Sequence, residues 1–241
     1  MKSIPSRVLI AGVGPGLGLA LAKRFIHEGC TVGLLARNEN YLNQLSSELS
    51  QNGQTAIALP ADLTDPIQIT SAFQHYKNTV GSVDVLINHA GLSFWQSTME
   101  ISAEDFEQTW RTSTLSALLC SQQVIPDMLA NNNGHIIFSG STSAVRGRKG
   151  AIDFSSSQFA RRGLADAMAR ELWPQGIHVA HVIIDGIIDT PRVRQNYVLA
   201  EDELLMSPDD IAESYWHLIQ QPKSSWAFEI AIRPHTEAFF E

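Results

Sequence analysis

The chain has 241 residues and a formal net charge of −8, with no lysine or arginine block. This excludes a dedicated face for nucleic acid or for an anionic membrane surface, and no apolar run approaches the roughly 18 residues of a membrane span. Cys30 and Cys120 lie far apart without metal-type spacing, so they read as buried thiols in a reducing compartment, and no metal site is expected.

Residues 1–5 are too short and polar to be a signal peptide, and the cytoplasm is the expected location. Val8-Leu9-Ile10 reads as a buried strand. Gly12, Gly14, Gly16 and Gly18 follow, four glycines in seven positions, before Leu19-Ala20-Leu21-Ala22 opens a helix. Strand, glycine turn and helix form a dinucleotide-binding crossover. The glycines let the backbone approach a diphosphate, and the helix start offers free N–H groups and a positive dipole end. Residues 31–36 are a second strand. Asn38 caps a helix to about residue 50 with Leu42, Leu45 and Leu49 at helical spacing, and Gly53 ends it. Residues 55–60 are a third strand, followed by Asp62. Asp65-Pro66 opens a helix with Ile69, Phe73 and Tyr76 on one face.

The fourth strand spans 83–88 and runs into Asn88-His89-Ala90-Gly91. A long helix follows over 102–130, with a bend near Pro126. The fifth strand covers 134–140, a further long helix 155–173 and the sixth strand 176–184. Ser207-Pro208 starts a last helix to about 220, and residues 226–232 are the seventh strand. Seven strands alternating with helices predict an α/β fold: one Rossmann-type doubly wound domain over 1–241, with a seven-stranded parallel sheet and helices on both faces. The irregular stretch 189–203 follows a strand's C-terminal end, where such sheets bind ligands, and is expected to be a substrate lid.

In this order and spacing the motifs resemble the short-chain dehydrogenase/reductase family over nearly the whole length. Gly12-xxx-Gly16-x-Gly18 is similar to its glycine motif, with Ala11 where threonine is usual. Asp62 stands where the family places an aspartate on the adenine ring. Asn88-His89-Ala90-Gly91 differs from Asn-Asn-Ala-Gly at one position. Asp185-Gly186-Ile187-Ile188-Asp189-Thr190 resembles Pro-Gly-x-x-x-Thr with Asp185 in place of proline, and Arg170-Glu171-Leu172 before Gly176-Ile177-His178-Val179 is also family-like. The resemblance implies an NAD(P)-dependent oxidoreductase acting on a carbonyl or hydroxyl substrate. It places cofactor contacts at Gly12, Gly14, Gly16, Leu17, Gly18, Asp62, Leu63, Asn88, Ala90, Gly91, Gln158, Gly186 and Thr190. Thr190 serves either the nicotinamide amide or as a cap for a helix at Pro191. The second strand ends Leu35-Ala36-Arg37, with no carboxylate for ribose hydroxyls and a guanidinium fork suited to a 2′-phosphate, so NADP(H) is expected over NAD(H). The family's habit of association implies a homodimer or homotetramer. Trp110, Leu118, Leu119, Phe159 and Met168 on the two long helices belong either to that interface or to the core, and the aromatic tail 233–240 is a candidate to dock on a neighbour.

The resemblance implies catalysis by a tyrosine, a lysine four residues on, a serine and a helix asparagine. Tyrosine and lysine at that spacing share a helix face, and the ammonium stabilises the phenolate. Here the serine position is Ser141, with Ser139 and Ser143 as alternatives. Phe154, Gln158 and Ser113 occupy the other three positions. No Tyr-xxx-Lys occurs elsewhere: Tyr41, Tyr76, Tyr197 and Tyr215 are followed four residues on by Leu45, Val80, Glu201 and Ile219. A positioned acid or base is worth about 10²–10⁴ in rate, so ordinary carbonyl reduction is expected to be crippled. His89, Tyr197 and Asp153 are the candidates for a replacement acid, and Phe154 is suited to packing against a nicotinamide or substrate ring. Two readings follow: an oxidoreductase with a weakened, atypical site acting on an unknown small molecule, or a non-catalytic NADP(H)-binding relative that senses redox state or meets a partner.

Overall fold

The computed structural model describes residues 6–51, 55–198, 204–236 and 240. Residues 1–5, Gly53, the end of the 189–203 stretch and part of the C-terminal tail, all of which carry expectations, lie outside the described residues. The strands are β1 (Arg7–Ala11), β2 (Thr31–Ala36), β3 (Thr55–Pro60), β4 (Val85–Asn88), β5 (Gly134–Ser141), β6 (Ile177–Ile184) and β7 (Glu229–Ile232). They pair in parallel in the order β3-β2-β1-β4-β5-β6-β7. The order reverses between β1 and β4, which opens a crevice at the carboxyl ends of those two strands.

Strand alternation sorts β1 between two cores: Val8 and Ile10 point to one face, Leu9 and Ala11 to the other. The first face is covered by α1 (Leu17–His27), α2 (Glu39–Leu49) and α8 (Pro208–Ile219), through Phe25, Leu42 and Trp216 among others. The second is covered by α3 (Pro66–Thr79), α5 (Ser116–Ala130) and α6 (Ile152–Leu172), through Phe73, Val124 and Leu172. The expected caps form: Asn38 accepts from the Tyr41 N–H, Asp65 from those of Ile67 and Gln68, and Ser207 from that of Asp210. Cys30 and Cys120 are buried and free, and burial raises their thiols to about 11 and about 12. No helix among the described residues is long and apolar enough to cross a membrane.

Several boundaries differ from the sequence expectation for local reasons. The fourth strand starts at Val85, and just before it the Asp84 carboxylate accepts from the Ser6 and Arg7 N–H groups and the Arg7 guanidinium. The seventh starts at Glu229, since the Ala227 N–H turns to the Gln221 side chain instead of the ladder. The long helix over 102–130 is α4 (Ala103–Trp110), a π turn (Arg111–Leu115) and α5. The irregularity therefore falls at the π turn, and Pro126 sits inside α5. Such a turn widens the helix and redirects a main-chain carbonyl. α6 begins at Ile152, three residues earlier than expected, so Phe154 lies in its first turn. Within 189–203, α7 (Pro191–Asn196) is a short helix capped by the Thr190 hydroxyl, which accepts from the Val193 N–H at 3.2 Å.

Candidate functional site

The crevice is built around the glycine turn. The Gly12 and Val13 N–H groups donate to the Leu35 carbonyl at 2.8 and 3.1 Å, which holds the turn beside β2. Gly12 has φ 107, and a Cβ there would collide with the backbone of Ala90. At Gly16 a Cβ would lie 2.7 Å from the Thr190 methyl. Only glycine allows both approaches. α1 then starts with no side-chain cap and no acidic residue in its first turn. Its leading N–H groups and dipole are left to an anion in the crevice.

The cleft has a volume of about 500 Å³ and is walled by the glycine turn, by Arg37 and Asp62 beyond β2 and β3, by His89, Ala90 and Gly91 after β4, and by Thr190. Of the residues expected to hold a cofactor, Gly12, Gly14, Gly16, Leu17, Gly18, Arg37, Asp62, Leu63, Ala90, Gly91 and Thr190 line this one space. Arg37 is exposed, and among the described residues no carboxylate pairs with it. Asp62 accepts from the Thr64 N–H and hydroxyl, both at 2.8 Å, which fixes its rim position. Asn88 and Gln158 are buried beneath the lining, and Gly186 packs on Pro234. Thr64, Gln108, Thr112 and Arg192 also line the cleft, and sequence reasoning did not name them. Gln108 and Thr112 sit one turn apart on the long helix, a spacing that carries no signal without the fold. Arg192 had a hint in its place two residues past Thr190.

Several polar atoms at or next to the cleft lack partners among the described residues. Asn88 Oδ1, His89 Nδ1 and Gln158 Oε1 are buried and have no hydrogen-bond partner among the described residues. A buried polar atom left unmade costs about 1–3 kcal/mol. Of the three residues, His89 lines the cleft, and the amide oxygens of Asn88 and Gln158 are acceptors. Among the described residues no group of three His, Cys, Asp or Glu side chains could hold a metal ion.

The positions that should carry proton transfer are arranged differently. Ser141 closes β5, half-buried, with its hydroxyl accepting from the Ser143 N–H at 3.2 Å. Ser139 takes the Tyr215 hydroxyl at 2.7 Å inside the core, and Ser143 is buried in the following turn. Ser141 is therefore the serine at the strand's open end. Phe154 lays its ring 5.7 Å from that of Trp95. Trp95 holds φ 54, an uncommon conformation for a non-glycine residue, and stacks beneath the Arg148 guanidinium. Asp153 is buried and accepts from the Phe94 N–H at 2.8 Å and the Thr109 hydroxyl at 3.0 Å, so it anchors the 92–96 loop to α4 and α6. Tyr197 lies exposed beyond α7. His89 is half-buried, and burial together with the Arg161 charge pushes its imidazole down to about 4, which leaves it neutral near pH 7. Asp185 accepts from the Thr142 hydroxyl at 2.7 Å and the Phe240 N–H at 3.1 Å and lies against Arg233, tying the C-terminal segment to the turn after Ser141.

Arg161 is the largest departure from expectation. It is 2% exposed, yet its guanidinium reaches three main-chain carbonyls. Nε donates to Ser113 at 2.7 Å, Nη1 to Ser139 at 2.7 Å, and Nη2 to both Ala90 and Ser113. The π turn presents the Ser113 carbonyl to it. Its helix face is polar before it, with Ser157 and Gln158, and apolar after it, with Ala165 and Met168, so the sequence carries little signal of its burial.

Residues 6–198 match the family described as short chain dehydrogenase. An uncharacterized oxidoreductase of Staphylococcus saprophyticus is 28% identical over 227 residues, 94% of this chain and 96% of that protein. A short-chain dehydrogenase from Rhodopseudomonas palustris superposes with a TM-score of 0.82 at 32% identity, covering 95% of this chain and 99% of its own. A metagenomic short-chain oxidoreductase solved in complex with NADP shares the fold, with a TM-score of 0.82 at 22% identity over 96% of this chain and 98% of its own.

Proposed function

The chain belongs to the short-chain dehydrogenase family, and on that premise we propose that it binds NADP(H) along the glycine-turn cleft but lacks the groups for efficient carbonyl reduction. The carrying observation is the contrast between two halves of one site. The binding half is complete: an open helix start, an unpaired Arg37 and a rim aspartate surround one cleft. The proton-transfer half has a phenylalanine against a tryptophan and a buried glutamine.

In this reading the α1 N-terminus and the Gly14–Gly16 backbone take the diphosphate. Arg37 takes the 2′-phosphate, Asp62 the adenine side, and Gln158 Oε1 accepts from a ribose hydroxyl. When bound, the cofactor supplies or removes a hydride at a substrate carbon. Ser141 can hydrogen-bond the substrate oxygen, but Phe154 has no proton to give it. The missing acid removes about 10²–10⁴ in rate. Trp110 and Phe159, 39% and 45% exposed, are the outward members of the expected association face, whereas Met168 is core. They are assigned to a homodimer or homotetramer contact, and the protein to the cytoplasm.

The test is a fluorescence titration with NADPH, followed by its oxidation against a panel of small carbonyl compounds. Micromolar binding with turnover at background supports the reading. Absent binding, or turnover at ordinary enzyme rates, defeats it. One observation favours a second reading, slow reduction in which the neutral His89 imidazole hydrogen-bonds the substrate oxygen: its ring lines the cleft with Nδ1 unpartnered. His89→Asn would then abolish residual turnover without weakening NADPH binding.

A further inference from the structure

We propose that the buried guanidinium of Arg161 is a fixed positive charge beneath the nicotinamide half of the bound dinucleotide, and that it makes the chain hold NADPH more tightly than NADP⁺. This rests on the binding reading above and deepens it. All the hydrogen bonds of the Arg161 guanidinium end on carbonyls, of Ala90, Ser113 and Ser139. Among the described residues no carboxylate pairs with it. Carbonyl dipoles solvate a cation, but they do not cancel its charge, and a buried charge is little screened by salt.

The sheet order decides which part of the ligand lies over it. The diphosphate site is at the end of β1, and Arg37 and Asp62 stand on the side of β2 and β3. The second nucleoside must therefore run the other way, across the ends of β4 and β5. Ala90 follows β4 and lines the cleft, and Ser139 lies in β5. The carbonyls of both accept hydrogen bonds from the Arg161 guanidinium. The titratable groups whose charges interact with the guanidinium are His89, His181 and Tyr215. Burial lowers both imidazoles and raises the phenol, so all three stay neutral near pH 7.

The two redox forms differ in one respect that this charge can read. The oxidised nicotinamide ring is a cation and the reduced ring is neutral, while the rest of the molecule is the same. Contacts to the phosphates, adenine and riboses cancel in the ratio of the two affinities. Repulsion from Arg161 does not cancel.

Calorimetric titration of the full chain with NADPH and with NADP⁺ at pH 7.5 reads this ratio. The wild type is expected to bind NADPH tighter by about tenfold or more, the order set by unit charges acting across a protein wall. Arg161→Gln is expected to bring the two affinities within about twofold, and Arg161→Lys to keep the preference. Equal affinities in the wild type overturn the proposal. So does an Arg161→Gln variant in which both affinities fall together and the ratio stands, the result of a purely structural role. Should that variant not fold, loss of the preference in Arg161→Lys, which retains the charge, overturns it equally. If neither nucleotide binds the wild type, the binding reading itself has failed.

Discussion

Gln158→Lys and Arg161→Leu are each expected to destabilise the fold, and to do so by less together than the sum of the two. The two residues are three apart on α6 and each is 2% exposed, so they share one buried helix face. A lysine at 158 sets a second cation on that face. Two unit charges ~6 Å apart at an effective dielectric constant of ~20 repel by roughly 3 kcal/mol. Arginine keeps its proton, so the strain falls on the lysine, whose pKa drops by about 2 units from repulsion and further from burial. Arg161→Leu has its own cost, because the carbonyls of Ala90, Ser113 and Ser139 lose their donor, at about 1–3 kcal/mol for each left unsatisfied. In the double variant the lysine no longer meets a like charge and can reach those carbonyls. The pair should therefore cost about 2–3 kcal/mol less than the two single changes added together. Urea unfolding of the four proteins at pH 7 measures the coupling. Additivity within about 0.5 kcal/mol would refute the reasoning. The same coupling implies that Phe154→Tyr with Gln158→Lys gains carbonyl reduction only when Arg161→Leu is added.

Asp153→Ala should cost about 2–4 kcal/mol, because it strips the acceptor from the Phe94 N–H and the Thr109 hydroxyl. Asp153→Asn should cost less, and both should still bind NADPH, as urea unfolding and fluorescence titration would register; loss of turnover without loss of stability would instead make Asp153 a chemical group. Arg37→Ser should weaken NADPH binding by about 10–100-fold, the scale of a charge-assisted bidentate contact, and leave NADH binding unchanged in the same calorimeter. A pH effect follows from Glu229. Burial opposes its ionisation, but hydrogen bonds from His181 and Arg162 outweigh this and hold the carboxyl down at about 2. A depressed carboxyl stabilises the fold above the unfolded value of about 4.3 and loses that contribution as pH falls toward 2. Glu229→Gln should therefore be less stable than the wild type at pH 6, with the gap closing between about pH 4.5 and 2 in acid unfolding curves.

The α/β alternation was legible because strands buried on both faces leave continuous apolar runs, and because Asn38, Asp65 and Ser207 mark helix starts with side chains that cap them. The glycine turn was legible because glycine is the residue that tolerates Gly12's φ and the approach at Gly16. What sequence could not reveal is contact between distant segments. The π turn at Arg111–Leu115 carries no pattern of its own, since its residues serve equally well in an ordinary helix. Asp153 reads as a free carboxylate beside a lost tyrosine until the fold brings Phe94 and Thr109 to it. Arg161 stands beside Arg162 in the sequence, and nothing there separates their fates. Its neighbour does reach the edge of the sheet, where it pairs with Glu229 at 2.6 Å, while Arg161 turns into the core.

The separation of those two arginines also bears on the proposed division between a whole cleft and a weakened proton-transfer half. The glycine turn, Arg37 and Asp62 hang from the ends of β1, β2 and β3, and the turn is held beside β2 by hydrogen bonds from Gly12 and Val13 to Leu35. Phe154 and Gln158 hang from α6, which packs on β5 and β6 across the reversal of the strand order. The two groups meet at Ala90, whose backbone closes against Gly12 on one side and whose carbonyl accepts from Arg161 on the other. A change at 154 alters a ring contact with Trp95 and leaves that junction alone. A change at 161 removes a donor from the junction itself. The cofactor affinity of this protein should therefore tolerate Phe154→Tyr or Phe154→Leu within about threefold, the scale of a contact outside the binding wall, whereas a neutral residue at 161 should alter both how tightly a dinucleotide is held and which redox form is held. A Phe154 variant that lost NADPH binding while its unfolding curve stayed native would break this division of the site.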